Sequence, residues 1–177
     1  MQHDPDHFEL LGLAPGFAVD RDALDRAWRE VQARVHPDRH AAGSAQEKRV
    51  AMQWASRANE AYRVLRAPLS RARYLCERAG VDLQVETNPA MTPAFLMQQM
   101  EWREALDDAR SGRDAAALET LAGELAAARR RMTAEVGQLL DEKHDYATAA
   151  ARVREWMFIE KFSEEIDLAV DALAEQD

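Results

Sequence analysis

The chain is poor in the residues that support disulfide, metal and phosphate chemistry. It has one cysteine, Cys76, among 177 residues, which excludes an internal disulfide and a sulfur-ligated metal site and suits a reducing compartment. Its seven glycines are scattered, and no glycine-rich phosphate loop, nucleophile elbow or pocket of paired carboxylates is recognisable. We therefore expect a protein that is not an enzyme and that needs no cofactor.

The sequence also lacks the segments that direct a protein to or through a membrane. Residues 1 to 4 contain neither a basic region nor an apolar run, and no apolar segment is long enough to span a bilayer. We expect a cytoplasmic protein without a membrane partner. No alternating strand pattern is found either, so the periodicity predicts an all-α fold.

Charge divides the chain into two dissimilar halves. The formal net charge is −9. Residues 1 to 80 contain 13 Lys and Arg against 11 Asp and Glu, whereas residues 81 to 177 contain 10 against 21. Turn-forming residues accumulate just after the midpoint of the chain, where no helical stripe survives. We predict a first domain over residues 1 to 78, a linker over residues 79 to 92 and a second domain over residues 93 to 177.

A loop imposed by proline lies between two amphipathic helices in the first domain. Residues 20 to 35 carry apolar side chains at steps of three and four, which makes one helix stripe. Pro37 lacks an amide hydrogen and disfavours helical backbone at His36, so the helix ends there. A second helix opens with a capping box at Ser44. His36, Pro37 and Asp38 are therefore expected in a loop at the tip of a helical hairpin.

Shorter helices precede and follow this hairpin. The first is predicted over residues 5 to 11, with Asp4 as its N-cap and Gly12 closing it. A fourth helix is predicted to open at Pro68 and to end at Gly80. The first domain is thus expected to contain four helices.

Four helices in this order, with the tripeptide loop between the second and the third, resemble the J-domain. This is the module through which J-type co-chaperones engage a DnaK-type chaperone ATPase, and the resemblance implies that the loop contacts that chaperone. Arg26 and Arg29 point away from the apolar stripe of the second helix and, with Arg39, supply a basic face. Asp25 and Glu30 make this face less basic than in a typical J-domain.

The second domain contains three long helical patterns, predicted over residues 93 to 110, 114 to 142 and 145 to 174. Short connections between long amphipathic helices are typical of an antiparallel three-helix bundle. The middle helix has the most regular stripe, formed by Leu118, Leu121, Leu125, Ala128, Met132, Val136 and Leu139.

The first of these helices has more large apolar side chains than one core face needs. Its predicted core face consists of Phe95, Trp102, Leu106 and Ala109. A second apolar cluster points elsewhere and contains Leu96, Met97 and Met100. Carboxylates border this cluster at Glu101, Glu104, Asp107 and Asp108. Methionine adapts to irregular surfaces and an acidic rim selects a basic partner, so the cluster suits partner docking. The alternative is that the third helix or the first domain covers it.

The third helix changes its apolar face near Phe158. One stripe ends at Trp156, and another begins at Ile159, rotated roughly half a turn around the helix. Phe158 belongs cleanly to neither stripe. It either extends the exposed cluster or fills a gap where the helix changes neighbours.

Four segments make nearly the whole chain similar to the HscB family, the J-type co-chaperones of iron-sulfur cluster assembly. They are Phe8 to Leu13 (FELLGL), His36 to Arg39 (HPDR), Leu65 to Ala72 (LRAPLSRA) and Ala94 to Glu101 (AFLMQQME). General J-proteins lack the last segment, which makes it the most specific of the four.

The resemblance implies two partners. The J-domain would stimulate ATP hydrolysis by a specialised, HscA-like DnaK-type chaperone, and the bundle would hold an IscU-like iron-sulfur scaffold protein. The chain lacks the cysteine-rich extension typical of eukaryotic relatives, which favours a bacterial protein, and we expect a monomer. The scaffold-binding positions of the family fall on Leu96, Met97, Met100, Glu101, Glu104, Asp108 and Phe158.

Two alternative functions are less consistent with the sequence. A general J-protein for unfolded clients would be followed by a Gly/Phe-rich linker or a cysteine-rich client domain, and neither is present. A helical adaptor, in which the tripeptide is accidental, would not stimulate a chaperone ATPase.

Metal and nucleic-acid sites are not expected. His36 and His40 cannot share a helix face across Pro37, and no further ligand is apparent. The basic run at residues 129 to 131 lacks interleaved aromatic residues and lies in an acidic domain, so it predicts a solvated face with no nucleic-acid partner.

Overall fold

The structure, a computed structural model, describes residues 5–35, 44–83 and 91–174. Within these ranges it contains seven α-helices and a short π-helix, and no strand, so the all-α prediction is confirmed. The chain divides into two compact units, Met1–Leu75 and Cys76–Asp177. The predicted loop at His36, Pro37 and Asp38, together with Arg39, lies outside the described residues.

The helices are named here in chain order. The first four are α1 (His7–Leu11), α2 (Arg21–Val35), α3 (Ala45–Arg66) and α4 (Pro68–Arg78). The last three are α5 (Pro93–Gly112), α6 (Ala115–Gly137) and α7 (Tyr146–Ala174), with the π-helix Gln138–Glu142 continuing α6. None of the described helices is both long and apolar enough to cross a membrane.

Helix α1 begins two residues later than predicted, with Asp6 as its N-cap in place of Asp4. The Asp6 carboxylate accepts hydrogen bonds from the backbone amides of Phe8 at 2.8 Å and Glu9 at 2.9 Å. The Glu9 side chain in turn accepts from the Asp6 amide, which completes a capping box. Gly12 closes the helix in the left-handed conformation, as predicted.

A series of polar and aromatic contacts joins α2 to α3. The Tyr62 hydroxyl donates to Asp25 at 2.8 Å, and the Trp28 indole donates to Asn59 at 3.0 Å. Gln32 also donates to Asn59, at 2.7 Å. The Trp28 and Tyr62 rings stack with their centroids 4.8 Å apart. From Asp25 to Gln32 the chain advances along α2, while the partners on α3 run backwards from Tyr62 to Asn59. The two helices therefore form an antiparallel hairpin.

The end of the hairpin is fixed by a buried guanidinium group. Arg71 of α4 donates to the carbonyl oxygen of Phe17 at 2.7 Å and to that of Leu65. Its guanidinium also lies over the Phe17 ring, 5.1 Å from the centroid. These contacts connect the loop before α2 to the end of α3. The apolar core of this unit includes Phe8, Leu11, Leu24, Val31, Ala51, Ala58, Ala61 and Leu65.

In the second unit, α6 lies antiparallel to α7. All seven residues of the stripe predicted for the middle helix are buried. Arg152 of α7 pairs with Glu135 at 2.8 Å, and Arg129 pairs with Glu160 at 2.8 Å. Arg129 belongs to the basic run predicted to be a solvated face, and its partly exposed side chain pairs with α7 at the edge of the contact between the two helices.

Helix α5 runs parallel to α7. The ring centroids of Phe95 and Phe158 lie 5.8 Å apart, and those of Trp102 and Phe162 lie 6.4 Å apart. The later residue of α5 therefore contacts the later residue of α7, as parallel helices require. Since α6 is antiparallel to α7, the three helices form the predicted antiparallel bundle.

The last turn of the predicted middle helix is π-helical. The amide of Lys143 donates to the carbonyl of Gln138 at 3.0 Å, a wider turn than the α-helical pattern allows. As a result Leu139 and the adjacent Leu140 are both buried, although the α-helical stripe predicted only the former. Gly137, which favours the helical conformation weakly, stands where the change occurs.

Candidate functional site

Leu96, Met97 and Met100 form an exposed apolar patch on α5. Their side chains are 46%, 65% and 71% exposed. Trp102 and Leu106, on the opposite face of the same helix, are buried. The patch is therefore the surplus apolar face predicted from the helical period, and α7 does not cover it. Three such side chains close together on a helix suit contact with another protein.

An acidic rim borders the apolar patch. Glu101, Glu104 and Asp108 are all exposed on α5. Glu101 and Glu104 lie one helical turn beyond Met97 and Met100, and Asp108 lies one turn beyond Glu104, so these carboxylates flank the patch along the helix. The resulting surface combines adaptable apolar side chains with a negative border.

Phe158 is half-buried between α7 and α5. Its ring stacks on Phe162, with centroids 5.6 Å apart, and meets Phe95 edge-on at 5.8 Å. Phe95 immediately precedes Leu96 in α5. Phe158 thus fills the space between the two helices, as one interpretation predicted, and the residue remains partly accessible.

Arg103 is a basic residue next to this surface that the sequence reasoning did not single out. Its guanidinium lies 5.6 Å from the ring centroids of both Phe158 and Phe162, and 4.0 Å from the Glu165 carboxylate. A cation at this distance from an aromatic ring is attracted by the ring's quadrupole, so Arg103 stabilises the contact of α5 with these two rings. Its place near the patch could have been predicted from the helical spacing, because Arg103 lies one turn beyond Met100 on the same side of α5.

Glu155 was also missed, although it is the buried carboxylate of the bundle core. It is 1% exposed on α7. One carboxylate oxygen accepts from the Thr92 amide at 3.1 Å and from its hydroxyl at 2.9 Å. The other accepts from Arg152 at 2.7 Å. The sequence did indicate this residue, because Glu155 lies one helical turn before Ile159 in an otherwise apolar stripe. A charged side chain in such a stripe needs a buried hydrogen-bond partner.

The charge of Glu155 is balanced by Arg152, which also pairs with Glu135 on α6. The hydrogen bond with Glu155, followed by the attraction of the Glu155 and Glu135 carboxylates, raises the pKa of Arg152. The buried charge of Glu155 on α7 is thereby connected to α6 through Arg152 and Glu135. It is connected to α5 through Thr92, the N-cap of that helix.

In the first unit, Arg26 and Arg29 are exposed on α2. Asp25 is turned toward α3, where it accepts the hydrogen bond of Tyr62, and this bond raises the pKa of the Tyr62 hydroxyl. Asp25 therefore contacts α3, whereas Arg26 and Arg29 are exposed to solvent. Glu30 is exposed, as expected.

The described residues contain no group of three His, Cys, Asp or Glu side chains placed to hold a metal ion. The described residues present two charged surfaces, a basic helix face in the first unit and an apolar patch with an acidic rim in the second. Both are suited to protein partners.

Comparison with known proteins assigns the chain to a family. A family model described as the HSCB C-terminal oligomerisation domain matches residues 91–167, a range that includes the patch, the rim and Phe158. A Bordetella petrii protein named Co-chaperone protein HscB homolog is 62% identical over 93% of this chain and 95% of its own length. The chain belongs to the HscB family of co-chaperones. The resemblance drawn from the sequence is thus confirmed.

Other members of the family extend this result. A Burkholderia multivorans protein of the same name is 52% identical over 94% of this chain and 95% of its own. Chaperone HscB from Vibrio cholerae has a TM-score of 0.82 and 34% identity, covering 96% of this chain and 99% of its own. Human co-chaperone protein HscB has a TM-score of 0.86 and 28% identity, covering 95% and 83%. These relatives are named as chaperones or co-chaperones, and not as enzymes.

Proposed function

We propose that this protein brings an IscU-like iron-sulfur scaffold protein to an HscA-like chaperone of the DnaK type and stimulates the ATPase of that chaperone. The J-domain would contact the chaperone through Arg26, Arg29 and the loop from His36 to Arg39. The bundle would contact the scaffold through the apolar patch, the acidic rim and Phe158. Cluster maturation and transfer would be promoted because both partners are held by one chain.

One observation supports this proposal most strongly. Leu96, Met97 and Met100 remain exposed on α5 of a bundle whose core is complete without them, since Trp102 and Leu106 supply the buried face. Because these side chains are already partly covered, burying each of them against a partner would contribute only a part of the about 1.5–3 kcal/mol that complete burial of such a side chain provides. The carboxylate rim would favour a scaffold surface that carries basic side chains.

Two simultaneous contacts would raise the local concentration of scaffold at the chaperone. Linked binding sites convert the second encounter into an intramolecular one, and the gain can reach about 10²–10⁴ in overall affinity. The scaffold would therefore reach the chaperone efficiently even if its direct affinity for the chaperone is low.

The proposal is tested by replacing Leu96 and Met100 together with alanine and measuring scaffold affinity by calorimetry. Both side chains are exposed, so no core cavity forms and the melting temperature should change little. Loss of two central apolar anchors should cost about 2 kcal/mol or more, on the order of a thirtyfold loss in affinity.

Leu168→Ala is the matched control, since Leu168 is 67% exposed on α7 and is not part of the patch. This variant should bind scaffold as the wild type does. A stable double variant of Leu96 and Met100 that still binds tightly would place the scaffold surface elsewhere. An unfolded double variant would show that the two residues support the bundle.

We further propose that the protein acts in the bacterial cytoplasm as a monomer without catalytic activity of its own. The buried lone cysteine and the bacterial relatives support this location. If two apolar patches paired face to face, two acidic rims would also meet, which disfavours self-association. Sedimentation equilibrium at physiological salt should give one mass of 20.0 kDa. A dimer that disappears on replacing Leu96 would contradict this proposal.

A further inference from the structure

The start of α5 is held by polar contacts together with one half-buried aromatic side chain, Phe95. No side chain from residue 91 to residue 101 is buried, and Trp102 is the first buried side chain of the helix. The apolar patch lies in this unburied stretch. Phe95 of this stretch is half-buried against Trp102 and Phe158, and polar contacts add to that aromatic packing in fixing the orientation of the patch in the free protein.

The polar contact of this kind lies between Glu155 and Thr92. The carboxylate of Glu155, 1% exposed on α7, accepts from both the amide and the hydroxyl of Thr92, at 3.1 and 2.9 Å. Hydrogen bonds to a buried charge are stronger than those between neutral groups. Thr92 itself is exposed, so these bonds tie an otherwise loose residue to the bundle core.

Thr92 transmits this contact to the patch through the first turn of α5. It is the N-cap, and its hydroxyl accepts from the amide of Phe95 at 3.3 Å. Its carbonyl accepts from the amide of Leu96 at 3.0 Å, and Pro93 occupies the first helical position. Glu155 is thus two hydrogen bonds away from Leu96.

We infer that Glu155 and Thr92 are positioning residues, which hold the first turns of α5 so that the apolar patch is pre-organised for its partner. A surface fixed before binding loses less conformational entropy when the partner docks, which increases affinity without a new contact. The inference rests on the proposed function for the identity of the partner. The order of the free protein tests it separately.

Thr92→Asp distinguishes this role from simple helix capping. Aspartate is at least as good an N-cap as threonine, so a residue that only caps α5 would tolerate the change. In this structure the new carboxylate would face the buried Glu155 carboxylate, and the repulsion would release the start of the helix. Thr92→Ser retains both the donor and the cap and serves as the conservative control.

Glu155→Gln provides the second half of a double-mutant cycle. Glutamine keeps an oxygen that can accept from Thr92, and it adds an amide that can donate to an aspartate at position 92. The double variant Thr92→Asp with Glu155→Gln should therefore recover what Thr92→Asp loses. Thr92→Asp makes the chain more negative, whereas the double variant restores the wild-type net charge, so exchange in the free protein, where no charged partner is present, is the deciding measurement.

The first measurement is hydrogen exchange of the amides of residues 95 to 100 in the free protein. Thr92→Asp should exchange on the order of tenfold faster there, whereas Thr92→Ser and the double variant should stay within about threefold of the wild type. Melting temperatures check that all variants fold. Unchanged exchange in Thr92→Asp, or no recovery in the double variant, would overturn the inference.

Scaffold affinity is the second measurement and should follow the same order, with Thr92→Asp about tenfold weaker than the wild type. If the wild type does not bind scaffold at all, the proposed function fails, while the exchange data still decide whether Glu155 positions the patch. If exchange rises but affinity does not fall, the pair orders α5 without contributing to docking, and the inference is wrong.

Discussion

The ring of Phe158 on α7 meets the ring of Phe95 on α5 edge-on, with centroids 5.8 Å apart and planes at 87°. This contact joins the proposed docking surface to the bundle core, because Phe158 also stacks on the buried Phe162. Phe158 is therefore expected to act both in packing and in binding, whereas Leu96 and Met100 act in binding alone.

Phe158→Ala should lower both the melting temperature and scaffold affinity. An edge-to-face or stacked aromatic pair contributes about 0.5–1.5 kcal/mol beyond area burial, so loss of the ring should destabilise the bundle measurably. Phe158→Leu should recover most of the stability by filling the space. Thermal melts and calorimetry on both variants check this. A Phe158→Ala protein with wild-type affinity would remove Phe158 from the scaffold-binding set.

Reversal of Arg26 and Arg29 to glutamate should mainly slow association with the chaperone. Both guanidinium groups are exposed on α2, where long-range attraction steers encounter and salt weakens it. The association rate, measured by stopped flow at several salt concentrations, should fall and lose most of its salt dependence. Reversing Arg130 and Arg131, exposed on α6, changes the net charge equally and is the control. An equal effect from both pairs would exclude a specific basic face.

Cys76 should resist alkylation in the folded protein. It is buried, and desolvation of the thiolate, followed by repulsion from Glu77, raises its pKa to about 11. The thiolate is the reactive form, so iodoacetamide at pH 8 should modify the native protein far more slowly than the unfolded chain. The pKa of Cys76 is higher in the folded protein than the value of 9.0 in the unfolded chain. The free energy of unfolding should therefore fall as the pH rises from 9.0 toward the folded pKa of about 11. Equal rates in native and denatured protein would show that Cys76 is accessible.

The helical period predicts most of this fold, since apolar residues three and four positions apart must share a face. The buried stripe from Leu118 to Leu139, along α6 and into the π-helix, and the exposed patch on α5 both follow from it. The N-cap of α1 could have been predicted as well, because Glu9 stands in the capping-box position relative to Asp6 and not to Asp4.

Other features depend on contacts that no local pattern contains. Glu155 and Thr92 are far apart in sequence and meet only because α5 and α7 run parallel in the bundle. The apolar pattern of Gln138–Glu142 is compatible with an α-helix as well as with the π-helix that is observed. The two helix types differ in the carbonyl to which each amide donates, and the residue pattern does not determine that. Arg103 was overlooked because the two rings beneath it belong to α7.

In the proposed function, one chain couples scaffold binding to ATP hydrolysis by the chaperone. Steady-state ATPase turnover of the chaperone is measured with this protein, in the presence and absence of scaffold. The wild type should stimulate turnover, and scaffold should increase the stimulation further. The double alanine variant of Leu96 and Met100 should retain the basal stimulation and lose the increase. His36→Gln should bind scaffold normally and stimulate nothing. Normal stimulation by His36→Gln, or no effect of scaffold on the wild type, would contradict the account.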